Sequence, residues 1–166
     1  MNAETNSAPG LTEPEQISVR SLLIPVEDGY LLVPGSVVAE VISFSPPETI
    51  PGDTPNWLLG RFDWRGQRIP CISFEGINGS DTLAPASRAR LVVLKALGDR
   101  PDLAHFAMVA QGIPRLVTVS ARGLEAVEDD IGDAPAIITP VLAQGEPAFI
   151  PNMRYMEDRI YRALYG

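Results

Sequence analysis

The stretch Asn56–Ile72, NWLLGRFDWRGQRIPCI, decides the fold class. It opens with a short turn that ends at Gly60. Phe62 and Trp64 then alternate with Asp63 and Arg65, the period of a half-buried strand, and Arg65-Gly66-Gln67-Arg68 supplies a glycine-containing hairpin turn. Ile69–Ile72 is the returning strand. Upstream, Val38-Ala39-Glu40-Val41-Ile42 alternates in the same way, which predicts Val38, Glu40 and Ile42 on one face. A carboxylate and a guanidinium therefore stand at the edges of two apolar strands. If the strands lie close, Glu40 and Arg65 pair and fix a surface; the alternative is two unrelated solvated charges.

Hairpin grammar extends outward from this segment. Ile17–Ile24 passes from alternation into an apolar run, Glu27-Asp28-Gly29 breaks it, and Tyr30–Val33 resumes it. Pro34-Gly35 allows a bend before the strand through Val38 and Glu40. Ser45–Pro55, with four prolines and one glycine, reads as a stiff connecting loop. Glu75–Ala89 is rich in turn residues and marks the subdomain boundary. Arg90–Leu97, Phe106–Ala110 and Leu116–Ser120 are strand candidates, and Ile137–Ala143, the turn Gln144–Pro147 and Ala148–Ile150 repeat the hairpin pattern. Met153, Met156, Ile160 and Leu164 recur at spacings of three and four, with Asn152 as a cap and Asp158–Arg162 as an i, i+4 pair, which predicts a C-terminal amphipathic helix of about three turns. The result is a mainly β protein in which two small antiparallel barrels pack on each other. Residues 1–16 have little that packs and are expected to form a disordered tail.

The chain has 166 residues, 45 % of them hydrophobic, enough to bury a core as one domain or two small subdomains. Its formal net charge of −8 argues against nucleic acid and against anionic membranes as partners, which leaves a protein partner as the default. The start lacks the basic and apolar runs of a signal peptide and no apolar segment reaches membrane-spanning length, so a cytoplasmic location without direct membrane insertion is expected.

Chemistry-bearing residues are scarce, with one histidine and one cysteine in the chain. His105 precedes an apolar strand and reads as a surface or strand-edge residue. Cys71 alternates with Ile69 and Ser73 and reads as a small core hydrophobe. No zinc spacing, P-loop or dinucleotide glycine motif occurs, so no cofactor and no metal site are expected. Glu125, Glu128, Asp129, Asp130 and Asp133 form an acidic stretch open to three readings: a calcium loop, an enzymatic acid pair or a solvated face. It lacks the alternating pattern of an EF-hand, which favours the solvated face.

Taken together, YLLVPGSVVAEVI (Tyr30–Ile42), PPETIPGDTP (Pro46–Pro55) and NWLLGRFDWRGQRIPCISF (Asn56–Phe74) resemble the CheW family of chemotaxis coupling proteins. That family carries a V-x-E-V segment, a loop with P-G-x-P, a W/F-x-x-G turn and an N-L-R-G-x-x-x-P hairpin. Val38, Glu40, Gly60, Arg65, Gly66 and Pro70 occupy the matching positions. The resemblance covers residues 17–75 well and thins beyond. The family's G-L-x-V-D-x-V strand faces Phe106–Ile113 here, with Gln111 in place of the acid, and Asp63-Trp64 replaces the usual Asn-Leu. These departures point to a variant branch such as the ChpC-like or PilI-like adaptors of pilus-linked chemosensory systems.

The resemblance implies paired five-stranded barrels around a shared apolar core, with residues 17–75 in the first barrel region and 90–166 in the second. It also implies a non-catalytic adaptor. One barrel would dock the regulatory domain of a CheA-type histidine kinase, and a groove between the barrels would accept the cytoplasmic tip of a methyl-accepting chemoreceptor. On this reading Val38 lines the groove, Glu40 and Arg65 form its polar rim, and Gly60 and Gly66 permit the required turns, although both also read as ordinary turn glycines. Trp57, Phe62 and Trp64 read as core, and an exposed tryptophan would be an anchor. The competing hypothesis is a small-ligand-binding or enzymatic β-barrel whose likeness is architectural only. A deep pocket with converging polar groups would favour the second hypothesis, and a shallow apolar groove the first.

Overall fold

The computed structural model describes residues 17–81 and 84–166, so the expectation for residues 1–16 lies outside the described residues. The chain enters through β1 (Ser18–Val26) and β2 (Gly29–Pro34), joined by a tight turn. A 3-10 turn over Gly35–Val37 then carries it into a second sheet, made of β3 (Val38–Ser43), β4 (Leu58–Trp64), β5 (Gln67–Ile72), β6 (Arg90–Lys95) and β7 (His105–Ala110). After β7 the chain returns to the first sheet with β8 (Arg115–Ser120), β9 (Leu124–Ala126), β10 (Ile137–Ala143) and β11 (Glu146–Pro151). The six-stranded sheet has the order β8-β1-β2-β11-β10-β9, and the five-stranded sheet β3-β6-β7-β5-β4.

The mainly β architecture with a closing helix is as expected, and three details differ. The sheets do not divide the sequence into 17–75 and 90–166. The bend at Pro34-Gly35 and the turn after Ala110 switch the chain between sheets, so each sheet takes strands from both sides of the long loop. Each sheet also holds one parallel junction, β2 with β11 and β5 with β7, alongside its antiparallel pairs. Finally, the short strand β9 lies inside the acidic stretch, as an exposed edge strand whose side chains need no burial.

Three apolar clusters account for the near-continuous hydrophobic runs. Successive residues on one strand serve different clusters, because side chains alternate across the sheet. Leu23 and Leu32 fill the inside of the six-stranded sheet, whereas their neighbours Ile24, Leu31 and Val33 enter a central cluster between the sheets. In the five-stranded sheet Cys71, Leu91, Val93 and Ala107 point inward, and Ile72, Val92, Leu94 and Met108 join the central cluster. Both faces of the central strands are thus buried.

The helix α2 (Met153–Tyr165) closes this central cluster with Met156 and Ile160, each fully buried. Asn152 caps it as expected, its side-chain oxygen accepting the Tyr155 N–H at 3.0 Å. Asp158 pairs with Arg100 rather than Arg162, because the β6–β7 connection docks on the helix. Glu157, also buried, accepts the backbone N–H groups of Leu97 and Gly98, both at 2.8 Å, and fixes that connection. The loop expected from Glu75 onward begins instead with a helical turn, α1 (Phe74–Ile77), capped by Ser73, whose Oγ accepts the Gly76 N–H. Phe74 and Ile77, three residues apart, plug the central cluster.

Candidate functional site

The site is built at the tip of the β4–β5 hairpin. Trp64 pairs with Gln67, so Arg65-Gly66 is a two-residue turn, and both residues take positive φ, 49° and 79°. Successive left-handed residues match the twist of the flanking strands, and glycine at the second position relieves the strain. Gln144-Gly145 makes the corresponding turn of the other sheet, with φ of 51° and 82°.

At this tip Glu40 joins two elements that no backbone ladder connects. Its Oε1 accepts the Trp64 indole N–H at 2.9 Å and lies 3.1 Å from Arg65 Nη2. The Arg65 guanidinium in turn lies 5.0 Å from the Trp64 ring centroid. Because β3 and β4 are the opposite edges of the five-stranded sheet, this contact shows that the sheet rolls up on itself, closed at this corner by side chains. The inner cluster, which draws on all five strands, is what the rolled sheet encloses.

The expected Glu40–Arg65 approach is therefore present, with Trp64 as a third member. Trp64 is core, as expected, being 7 % exposed, and its polar edge is satisfied by Glu40. His105 is a fourth member, its ring centroid 4.8 Å from that of Trp64. It is the first residue of β7, at the strand's end as expected, and is half-buried because β7 is the middle strand of its sheet. Period-two alternation with Ala107 and Val109, both in the inner cluster, was the signal that could have placed it. Burial pushes the His105 pKa down, and Lys95 and Arg65 lower it further. Cys71 is fully buried and burial pushes its thiol up to about 12, so it is inert as a nucleophile.

Two of the expected site residues lie elsewhere. A β-bulge between Val38 and Glu40 breaks the alternation: Val38 pairs with Leu94 and Glu40 with Val93, on opposite faces. Val38 is consequently half-buried against the central cluster, while Glu40 and Ile42 turn to the inner one. The large apolar residue that β3 exposes is Val41. Gly60 is buried at the far end of β4 beneath the proline-rich loop. Its φ is 147°, and a Cβ there would stand 2.2 Å from the Glu48 carbonyl oxygen. Glu48 and Arg61 exchange backbone hydrogen bonds of 2.8 and 2.9 Å, so Gly60 is what lets the loop lie on this edge. Gly66, by contrast, meets no atom within 4 Å and serves the turn alone.

Gln111, which stands where the family has an acid, fastens the end of β7. Its N–H donates to the Pro25 carbonyl at 2.8 Å and its side-chain oxygen accepts the Ala86 N–H at 3.4 Å. Glu125, Glu128, Asp129, Asp130 and Asp133 are exposed, and among the described residues no group of three or more His, Cys, Asp or Glu is placed to hold a metal ion. On the six-stranded sheet a shallow groove of about 320 Å³ is lined by Ile17, Val19, Leu32, Val119, Leu124 and Ile150, among others. Among the described residues no helix is long and apolar enough to cross a membrane.

A CheW-like domain model matches residues 20–158, most of the chain, and the chain belongs to that family. Among solved structures it is similar to the scaffolding protein TtCheW from Thermoanaerobacter tengcongensis, at 15 % identity and a TM-score of 0.68. That match covers 81 % of this chain and 89 % of the other, and it shows a shared fold. No curated protein matches the sequence significantly.

Proposed function

We propose that the chain is a non-catalytic cytoplasmic adaptor, which couples a methyl-accepting chemoreceptor to a CheA-type histidine kinase. The observation that carries this reading is the Glu40–Arg65 pair, at two positions that match the family motif and joined through Trp64, in a chain whose family match spans residues 20–158. Arg65 is 66 % exposed in its side chain, yet Glu40 and the Trp64 ring hold it in place. A pre-positioned arginine spends little entropy on binding, which makes it a suitable polar contact for a protein partner. The exposed Val41 of β3 and the apolar groove on the other sheet supply area without the reactive groups that turnover requires. The pilus-linked branch is the finer part of the proposal, supported by Asp63-Trp64 and Gln111.

The test is titration of the protein against separate kinase-regulatory and receptor-tip fragments from the same cell. Saturable binding of both by the parent, with at least one weakened roughly tenfold in Arg65→Ala while circular dichroism is unchanged, is the expected result. A folded Arg65→Ala variant that binds both fragments like the parent would remove the site. Failure of the parent to bind either would remove the adaptor reading. Deleting the gene should impair twitching rather than swimming if the pilus-linked assignment holds.

A further inference from the structure

The corner formed by Glu40, Trp64 and Arg65 carries more positive charge than its own contacts use. Lys95, the chain's only lysine, ends β6 and pairs across the ladder with His105, so the two side chains share a face. It is the face on which His105 stacks against Trp64. Lys95 and Arg65 thus act on His105 from different elements, and both disfavour a proton on it. The carboxylate of this corner is Glu40, whose Oε1 is already shared between the Trp64 indole and Arg65. Lys95 is exposed and forms no ion pair among the described residues. Elsewhere Arg68 is matched by Glu48 and Asp63, and Arg115 by Glu146. In a chain whose formal net charge is −8, two exposed cations with one carboxylate are a local reversal of sign.

We propose that this corner docks an acidic protein surface, whose aspartate or glutamate side chain pairs with Lys95 and Arg65, and that docking draws a proton onto His105. The inference rests on the reading of the corner as a partner contact and adds the partner's chemistry to it. The net charge of the chain repels a polyanion such as nucleic acid or an anionic bilayer. A single carboxylate brought within a Debye length, about 8 Å at physiological ionic strength, instead feels the local cations. Its two oxygens suit an arginine fork and a lysine together. The charged groups around the stacked His105–Trp64 pair are Lys95 on β6, Arg65 in the hairpin turn and Glu40 on β3, while β5 brings to β7 at Cys71 only a buried neutral thiol. In the free protein burial and the two cations keep His105 neutral. A carboxylate that neutralises Lys95 and Arg65 removes their repulsion and adds an attraction. The docked state therefore holds the proton more tightly than the free one, and affinity rises as pH falls toward the ordinary histidine value of 6.5.

Two peptides test the corner by itself: acetyl-Gly-Glu-Glu-Gly-amide and its glutamine counterpart. Each is titrated into the full chain, with NMR shifts followed at the Lys95 and His105 amides and the Trp64 indole N–H. The glutamate peptide should move these signals saturably and the glutamine peptide should not. Lys95→Glu, an exposed change that leaves melting unaltered, should weaken the effect about tenfold. The kinase-regulatory and receptor-tip fragments test the same corner in a complex. At least one should bind Lys95→Glu about tenfold more weakly than the parent, with the difference shrinking at high salt. Calorimetry in two buffers of different ionisation enthalpy should show proton uptake on docking by the parent and none by His105→Gln. Equal shifts by the two peptides, or shifts by neither, overturn the proposal. Fragment binding that Lys95→Glu leaves unaltered also overturns it, with the adaptor reading still standing, and binding without proton uptake overturns the part assigned to His105. If the parent binds neither fragment, the adaptor reading fails and the peptides alone decide the corner.

Discussion

In the five-stranded sheet the edge strands β3 and β4 are brought together by one carboxylate oxygen, which Trp64 and Arg65 share. In the six-stranded sheet the edge strands β8 and β9 instead flank an apolar groove of about 320 Å³, at which Ile17 and Val19 are 62 % and 47 % exposed. The first arrangement has one geometry, because hydrogen bonds to a buried indole and a stacked guanidinium are directional. The second has area but no direction. A polar corner is suited to fixing register with a partner and an apolar groove to supplying affinity.

The comparison is broken most severely at Gly60. Gly60→Ala places a methyl group against the Glu48 carbonyl and demands a strained φ, so it should cost about 3 kcal/mol or more in denaturant unfolding. An effect below about 1 kcal/mol would show that the loop is not held on β4 in solution. Next comes the corner itself. Glu40→Ala leaves the buried Trp64 N–H without an acceptor and should cost about 1–3 kcal/mol, most of which should disappear in a Trp64→Phe background, where no donor remains. Equal costs in both backgrounds would deny Glu40 its part in closing the sheet.

A pH titration sharpens the same corner. The His105 pKa is lowered in the folded chain, chiefly by desolvation and then by Lys95 and Arg65, so the unfolded chain binds the extra proton first. Its contribution is complete above the ordinary value of 6.5 and is lost as pH falls through and below it. Melting temperature should therefore fall more steeply below that pH in the parent than in His105→Gln, and parallel curves would show that His105 titrates without linkage to folding. Smaller effects are expected where side chains face water. Arg65→Ala should alter stability by no more than about 1 kcal/mol, since the Glu40–Arg65 pair is exposed. Val19→Glu, in the groove, should stay within about 0.5 kcal/mol, and a larger loss would mean that the groove is part of the core.

Local pattern was enough to locate most elements of this protein. Alternation marked the strands, the Arg65-Gly66 and Gln144-Gly145 turns marked two hairpins, and the three-and-four spacing from Met153 marked the helix with its Asn152 cap. These follow from periods and turn chemistry that act within a few residues. Alternation also set Glu40 and Arg65 at strand edges where they could pair, and the fold brings them to 3.1 Å. What the tertiary structure decided depends on contacts between distant residues. Alternation could not show the bulge that turns Val38 away from Glu40, because an inserted residue changes the face without changing the composition. Nor could it show that the Pro34-Gly35 bend exchanges sheets, or that Trp64 needs Glu40 for its indole N–H. Glu75 was read as the start of a loop because its neighbours are turn residues, and only the packing of Phe74 and Ile77 into the central cluster buries it. Charge in the sequence marks where a carboxylate is; whether it meets water or a backbone N–H is settled by the elements folded around it.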